Sequence, residues 1–419
     1  MTAPSRSLRE RLPLRPGTAS GVLAAAVTLA CAEFVRSGLY AGYLIPVIDS
    51  PQHMYQLPAA VGGFAWTTHL VTDTLMRGPA GLMLQRYGPR RVVLGGALLC
   101  LLALSLLFFV KSAWMLLLVA ALHAVGFSPM WPATMNLTAD AAKAGYEGRV
   151  LTTVSTAVMP LSGLGLIVYG AVGRTTDLLP VLMTLGVMGA GTLLSLLLPL
   201  RRTLTPVAVP EEGRPRLNPS VLPALLPLLP AALMQTLTQS LIGAWLIRIA
   251  PSFGLEYWQL IALLVVGGGV AFASMPLTGR VADQGRARLT VTIGYALVGL
   301  GMLGFTLLPP LWLLFVLAGV IGLGYAFLTP GWAALVAQTL PEAQRPAAWG
   351  MIMTVESAGT AAGPSLGGLA LQLAGVRGPF ALSGLMALVT ALGYVIFQSH
   401  FQGAKMPASA EANHERHGA

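Results

Sequence analysis

Long apolar runs separated by short, Arg-rich polar breaks dominate the chain. The runs fall at about 18–46, 57–85, 91–110, 113–138, 150–173, 178–200, 221–250, 257–280, 289–309, 311–338, 346–373 and 378–400. A helix needs about 20 mostly apolar residues to cross a bilayer, so the pattern predicts twelve membrane-spanning helices. The residue-by-residue alternation of a transmembrane β-barrel is absent. Residues 201–220, RRTLTPVAVPEEGRPRLNPS, interrupt the pattern with Arg, Pro and Glu and read as a solvated linker. The expected organisation is an all-α membrane protein: a six-helix bundle over 1–200, the linker, a second six-helix bundle over 221–402, and a disordered cytoplasmic tail over 403–419.

Composition agrees with a polytopic membrane protein, with 55% apolar and 10% charged residues, 48 Gly and 30 Pro. Lys and Arg fix the expected orientation. With both termini in the cytoplasm, the basic groups Arg6 to Arg15, Arg86 to Arg91, Lys143 and Arg149, Arg201 to Arg216, Arg280 to Arg288, and Arg345 with the tail all fall inside. Only Lys111, Arg174 and Arg377 fall outside, which predicts a multi-pass protein of the plasma (inner) membrane with cytoplasmic termini. The net charge of +10 then faces the cytosol and anionic headgroups, and no nucleic-acid partner is needed to explain it. The first run is too long for a signal peptide and carries Glu33 and Arg36, so it reads as an uncleaved helix. Cys31 and Cys100, both in apolar runs, build neither a disulfide framework nor a thiolate metal site.

Charges inside the apolar runs carry the functional signal. Glu33 and Arg36 are spaced i,i+3 in the first run, and Asp73 and Arg77 are spaced i,i+4 in the second, so each pair shares a helix face. If the first helix enters the bilayer near Ser20 and the second leaves near Gln85, the 1.5 Å rise per residue puts Glu33 roughly 20 Å and Asp73 roughly 18 Å from the same side. The two carboxyls can therefore meet in one charge-balanced, titratable site. Ionisable groups at this depth mark functional sites by default. A static salt-bridge cluster is the competing reading, weakened by the cost of burying charge merely to join helices.

Other polar positions add detail. His69 extends the Asp73 face by one turn, and Tyr40 and Tyr43 follow Arg36, placed either to stack on a sugar or to anchor an interface. Gln235, Thr236, Gln239 and Ser240 mark the seventh helix as cavity-lining or as packed through polar contacts. Glu356 is either a second proton-coupling carboxyl or one kept neutral. Arg248 reads as a snorkelling interfacial residue, and Trp131 with Pro132 as shaping or kinking the fourth helix. His69 and His123 read as too far apart for a metal site, so neither metal nor cofactor is expected. No phosphate-cradling Gly-x-x-x-x-Gly-Lys-Ser/Thr loop is present to use ATP.

The halves resemble each other. Gly81 to Arg91 after the second run matches Gly279 to Arg288 after the eighth, and Glu147-Gly148-Arg149 matches Glu342 to Arg345. Parallel repeats of this kind suit a transporter built from two related bundles. Over essentially its whole length the chain resembles the major facilitator superfamily, and Gly81, Arg86, Gly88, Arg90 and Arg91 are similar to that family's loop 2–3 signature. Gln85 stands where the family usually has Asp, whereas Asp283 keeps the acid in the second half. The resemblance implies a cytoplasmic gating latch at these residues; simple positive-inside anchoring is the alternative.

A Gly359-x-x-x-Gly363-Pro364 motif resembles the drug/proton antiporter signature, but lies in the eleventh helix instead of the fifth. The fourth helix also lacks the buried Arg of that group. The Glu33-x-x-Arg36 pattern with Asp73 is instead similar to the branch containing the proton-coupled glycolipid flippase that supplies lipoteichoic-acid anchors. That resemblance implies that Glu33, Arg36 and Asp73, with Arg77, line a polar pocket for a sugar headgroup and coupling protons. It implies a monomeric, proton-coupled secondary transporter working by alternating access, with an amphiphile such as a glycolipid as substrate and membrane lipids as partners. Proton-driven multidrug or small-metabolite efflux is the alternative. A membrane-embedded enzyme or a channel fits the repeats less well.

Overall fold

The computed structural model describes residues 13–143, 146–200, 225–339 and 345–397. The expected linker over 201–220 and tail over 403–419 lie outside the described residues. Helix α1 spans Ala19–Ser37 and runs on through a π turn, Gly38–Leu44, into Ile45–Val47. Then come α2 (Ala59–Tyr87), α3 (Pro89–Ser105), α4 (Ala113–Phe127 continued by Met130–Ala141), α5 (Glu147–Val172) and α6 (Leu178–Ser195). After the linker come α7 (Leu229–Gly243 continued by Leu246–Ile249), α8 (Tyr257–Val281), α9 (Ala287–Phe305), α10 (Leu311–Thr339), α11 (Arg345–Ala374) and α12 (Arg377–Ile396).

Among the described residues, eight helical stretches are long and apolar enough to cross a membrane, one of them running through α8 and α9 as Tyr257–Phe305. The difference from the expected twelve has a physical cause. Helices α2 and α11 have ample length, 29 and 30 residues, but carry polar residues such as His69, Asp73 and Glu356 that dilute their hydropathy. Helix α7 is interrupted at Ala244–Trp245.

The chain packs as two compact units. In the first, α1 lies against α5, α6 and the second part of α4, while α3 packs on α4 and α6, and α2 on the first part of α4. Leu29, Val35, Leu39, Leu44 and Ile48 of α1 and the turn after it are fully buried in its core. Helices α3 and α4 approach at Gly96 and Gly126, where a Cβ on either would strike the other's carbonyl oxygen; only glycine permits so close a backbone contact. Gly126→Leu should therefore destabilise the protein by about 1–3 kcal/mol through overpacking, read as a lowered melting temperature in detergent; an unchanged value would contradict this packing.

Arg15 is more than a membrane-surface charge. Its backbone N–H donates to Ala141 O (2.7 Å) and its Nε to Ala142 O (3.1 Å), so it caps the end of α4. Two segments from later in the chain, Gln239–Ile261 and Thr360–Pro379, belong to the same unit. There the Trp245 indole donates to Pro364 O at 2.9 Å, and Ser240 Oγ donates at 2.6 Å to Thr360 O, the carbonyl that Pro364, lacking an N–H, leaves free inside α11.

In the second unit α9 packs along α10, the Tyr295 hydroxyl donates to Ala231 O at 2.6 Å, and Phe305 stacks on Phe380 with centroids 4.9 Å apart. The repeated loops each place a glycine at positive φ: Gly88, between α2 and α3, has φ +82°, and Gly285, between α8 and α9, has φ +78°. A left-handed φ at both places accounts for glycine at matching repeat positions.

Candidate functional site

The first unit brings Glu33, Arg36, Asp73 and Arg77 into one connected cluster. Arg36 donates through Nε and Nη2 to Glu33 Oε2 at 3.1 and 2.7 Å, and its Nη1 lies 3.8 Å from Asp73 Oδ2. Arg77 donates to Asp73 through Nη2 at 2.8 Å and Nε at 3.4 Å. The helix spacings place each acid beside its own arginine; Arg36 then joins the pairs across α1 and α2. Both carboxylate side chains are 2% exposed, against 17% for Arg36 and 42% for Arg77.

The two acids are held differently. Glu33 also accepts from Ser162 Oγ of α5 at 3.0 Å and from the Trp131 indole of α4 at 2.5 Å, so four donors surround it. Asp73 depends on the half-exposed Arg77 and the longer contact with Arg36. Arg36 is further fixed by Phe127, whose ring centroid lies 4.7 Å from its guanidinium carbon.

Three sequence expectations look different in three dimensions. Trp131 does more than shape a helix, because it is a direct ligand of Glu33. A matching pair occurs in the second unit, where the Trp332 indole of α10 donates to Glu356 Oε1 at 2.9 Å. The segments Phe127-Ser-Pro-Met-Trp131 and Phe327-Leu-Thr-Pro-Gly-Trp332 each set a tryptophan shortly after a proline, a repeat signal that could have found both. His69 and His123 are close neighbours, with ring centroids 4.7 Å apart, because α2 and α4 pack side by side. Arg248 is not an isolated cation: it forms a bidentate ion pair with Asp49, 2.6 Å to each carboxylate oxygen.

The remaining named residues spread over several places. Tyr40 is buried against Trp66, His69 and His123. Tyr43, also buried, donates to Asp177 Oδ1 at 2.7 Å, the same oxygen that His53 Nδ1 approaches at 2.5 Å; neither tyrosine has a surface on which a sugar could stack. Gln235 is half-buried with its Oε1 enclosed, and Gln239 is exposed. Thr236 and Ser240 bond to the α11 carbonyls of Glu356 and Thr360, each at 2.6 Å, which is helix packing.

At the α2–α3 turn Gly81 is half-buried and Gln85 and Arg86 are exposed, with Arg86 over the Tyr87 ring. Gly88 supplies the positive φ, and the Arg90 N–H donates to Pro199 O at 3.4 Å. Gln85 shares a small cleft with Asn136 and Asp140 of α4, so an acid sits near the position where Gln85 is neutral. Asp283 is exposed in the corresponding turn of the second unit. Among the described residues no group of three or more His, Cys, Asp or Glu is arranged to hold a metal.

The Asp49–Arg248 pair ties the loop after α1 to the end of α7. Hydrogen bonds from Arg248 hold the Asp49 carboxyl below its ordinary value of 3.8, against an opposing push from partial burial. A lowered acid stabilises the fold above its unfolded-state value and loses that contribution as the pH falls through the folded one. The melting-temperature loss caused by Arg248→Ala should therefore stay constant from pH 8 to pH 5 and shrink in stronger acid; a loss that vanishes by pH 6 would contradict this assignment.

The Major Facilitator Superfamily model matches residues 25–309 and 228–415. The proton-coupled antiporter flippase LtaA of Staphylococcus haemolyticus is 24% identical over 398 residues, covering 90% of this chain and 94% of that protein. The LtaA flippase of Staphylococcus aureus strain USA300 is 21% identical over 378 residues, covering 86% and 91%. Among solved structures, the nucleoside transporter NupG superposes with a TM-score of 0.66 at 13% identity, over 91% of this chain and all of that one.

Proposed function

Because the chain belongs to the major facilitator superfamily, we propose that it is a proton-coupled secondary transporter that moves an amphiphilic molecule, with a glycolipid as the preferred substrate class. The observation that carries this reading is the connected chain Glu33–Arg36–Asp73–Arg77, with both carboxylates buried, whose two acids and two arginines balance. A site without net charge has little Coulomb attraction for a lipophilic cation, which an uncompensated carboxylate in a low-dielectric cavity would supply. It offers instead a row of donors and acceptors suited to hydroxyl groups.

The chemistry follows from the uneven holding of the acids. A proton taken up by Asp73 cancels its attraction for Arg77, and the released guanidinium can turn to the substrate; loss of the proton draws it back. Glu33, held by four donors, keeps Arg36 in place throughout. Alternating access needs contacts that break and reform, and the Asp49–Arg248 pair and the α2–α3 turn at Gln85 to Arg90 are suited to that gating role. The likeness to LtaA flippases supports a lipid substrate, and the Lys and Arg distribution along the chain supports a plasma-membrane protein with cytoplasmic termini. Such a protein works as a monomer and needs no cofactor.

Drug sensitivity separates this from efflux. Cells expressing the protein should gain little resistance to ethidium-like cations, and proteoliposomes should move a glycolipid when a pH gradient is imposed. Strong cation resistance that depends on Glu356 and not on Asp73 would overturn the glycolipid reading in favour of efflux.

A further inference from the structure

Two imidazoles lie beside the charged cluster without belonging to it. His69 of α2 and His123 of α4 are fully buried, and Phe127 packs edge-on against both. Each has one ring nitrogen in use: His69 Nδ1 lies 3.4 Å from Ala120 O, and His123 Nδ1 lies 3.3 Å from the Tyr40 hydroxyl. The remaining nitrogen of each, Nε2, is enclosed with no hydrogen-bond partner. An orphaned buried polar atom costs about 1–3 kcal/mol, and two side by side are not explained by packing that phenylalanine would do better.

The partners assign the tautomers. A carbonyl only accepts, so the His69 proton is on Nδ1 and its Nε2 presents a lone pair. The Tyr40 hydroxyl, itself buried, needs an acceptor for its own hydrogen and finds it in His123 Nδ1, which puts the His123 proton on Nε2. One orphan is thus an acceptor and the other a donor. The ring centroids are 4.7 Å apart, so the two orphans belong to neighbouring rings, and a single water can accept from one such nitrogen and donate to the other.

We propose that His69 and His123 hold a buried water between their Nε2 atoms, and that this pair is where the coupling proton resides when Asp73 gives it up. The inference rests on the proton-coupled reading. Asp73 lies one helical turn beyond His69 on the same face of α2. In the transfer the Asp73 O–H bond breaks and a His69 Nε2–H bond forms through bound water, leaving a carboxylate and an imidazolium with the total charge unchanged. The charged and titratable groups around the pair are Arg36 and Tyr40 of α1, Asp73 and Arg77 of α2, and Cys100 of α3, whose thiol meets His123 O. Flanked by two guanidiniums, the pair holds the proton only while the ionised carboxylates balance it.

Two measurements on the full-length protein in lipid test this. Nitrogen NMR of histidine-labelled protein in nanodiscs should show His69 protonated on Nδ1 and His123 on Nε2, both Nε2 sites contacting a slowly exchanging water; matching tautomers or dry sites would overturn the water bridge. In proteoliposomes with a pH dye, His69→Gln should lower gradient-driven transport about tenfold and remove one ionisation from its pH profile. Should that variant fold poorly, Tyr40→Phe leaves both imidazoles in place and should flip the His123 tautomer and shift the same profile. A wild-type pH profile in folded variants would overturn the proton-holding role. Wild-type protein that moves no protons would instead overturn the proposed function, while the NMR result still decides the water site.

Discussion

Replacing Asp73 with asparagine should abolish pH-gradient-driven transport, lowering the initial rate by about 100-fold or more, equivalent to at least roughly 2.7 kcal/mol in the barrier. The substitution preserves shape and removes the carboxylate that holds Arg77. It also leaves Arg36 and Arg77 facing a single acid, so that one positive charge at membrane depth is uncompensated. Rates measured in proteoliposomes at matched protein density check this. A variant that retained more than a third of the wild-type rate would show that the proton is carried elsewhere.

Replacing Glu33 with glutamine should act on stability as strongly as on transport. Glutamine cannot accept from four donors at once, and Arg36 loses its nearest counter-charge while remaining buried beneath Phe127. Breaking a buried pair in this way costs about 3–5 kcal/mol. The double variant Glu33→Gln with Arg36→Gln should recover part of that loss, because the stranded charge is gone, and so be less unstable than the sum of the single variants. Thermal unfolding of all four proteins gives the coupling directly. Strict additivity would mean that the two groups do not act as a pair.

Much of this architecture could be read from residue order. Helix positions followed from apolar length, and the depths of Glu33 and Asp73 followed from helical rise, because both are local, one-dimensional properties. Partners far apart in the chain were not legible. Arg248 reads as an isolated cation until the fold brings it to Asp49, and His53 gives no hint of Asp177 and Tyr43. Tryptophan was counted as apolar, so the indole N–H that Trp131 gives to Glu33 was hidden. Whether two histidines on different helices touch depends on which faces of α2 and α4 pack together, and residue order within either helix does not give that pairing. Tyr40 and Tyr43, following Arg36 on the first helix, suggested either sugar stacking or interface anchoring, yet interior hydrogen bonds claim both hydroxyls.

The central claim is that proton movement and transport of an amphiphile pass through the Asp73 site, and the most direct measurement follows both in the same vesicles. Purified protein would be reconstituted with a fluorescent glycolipid in one leaflet and a pH dye in the lumen, and the two signals recorded after a pH step. The account predicts that glycolipid translocation and proton flux rise together in wild-type vesicles and that both are lost with Asp73→Asn. Glycolipid translocation that proceeds at the wild-type rate without proton flux, or that survives Asp73→Asn, would contradict it.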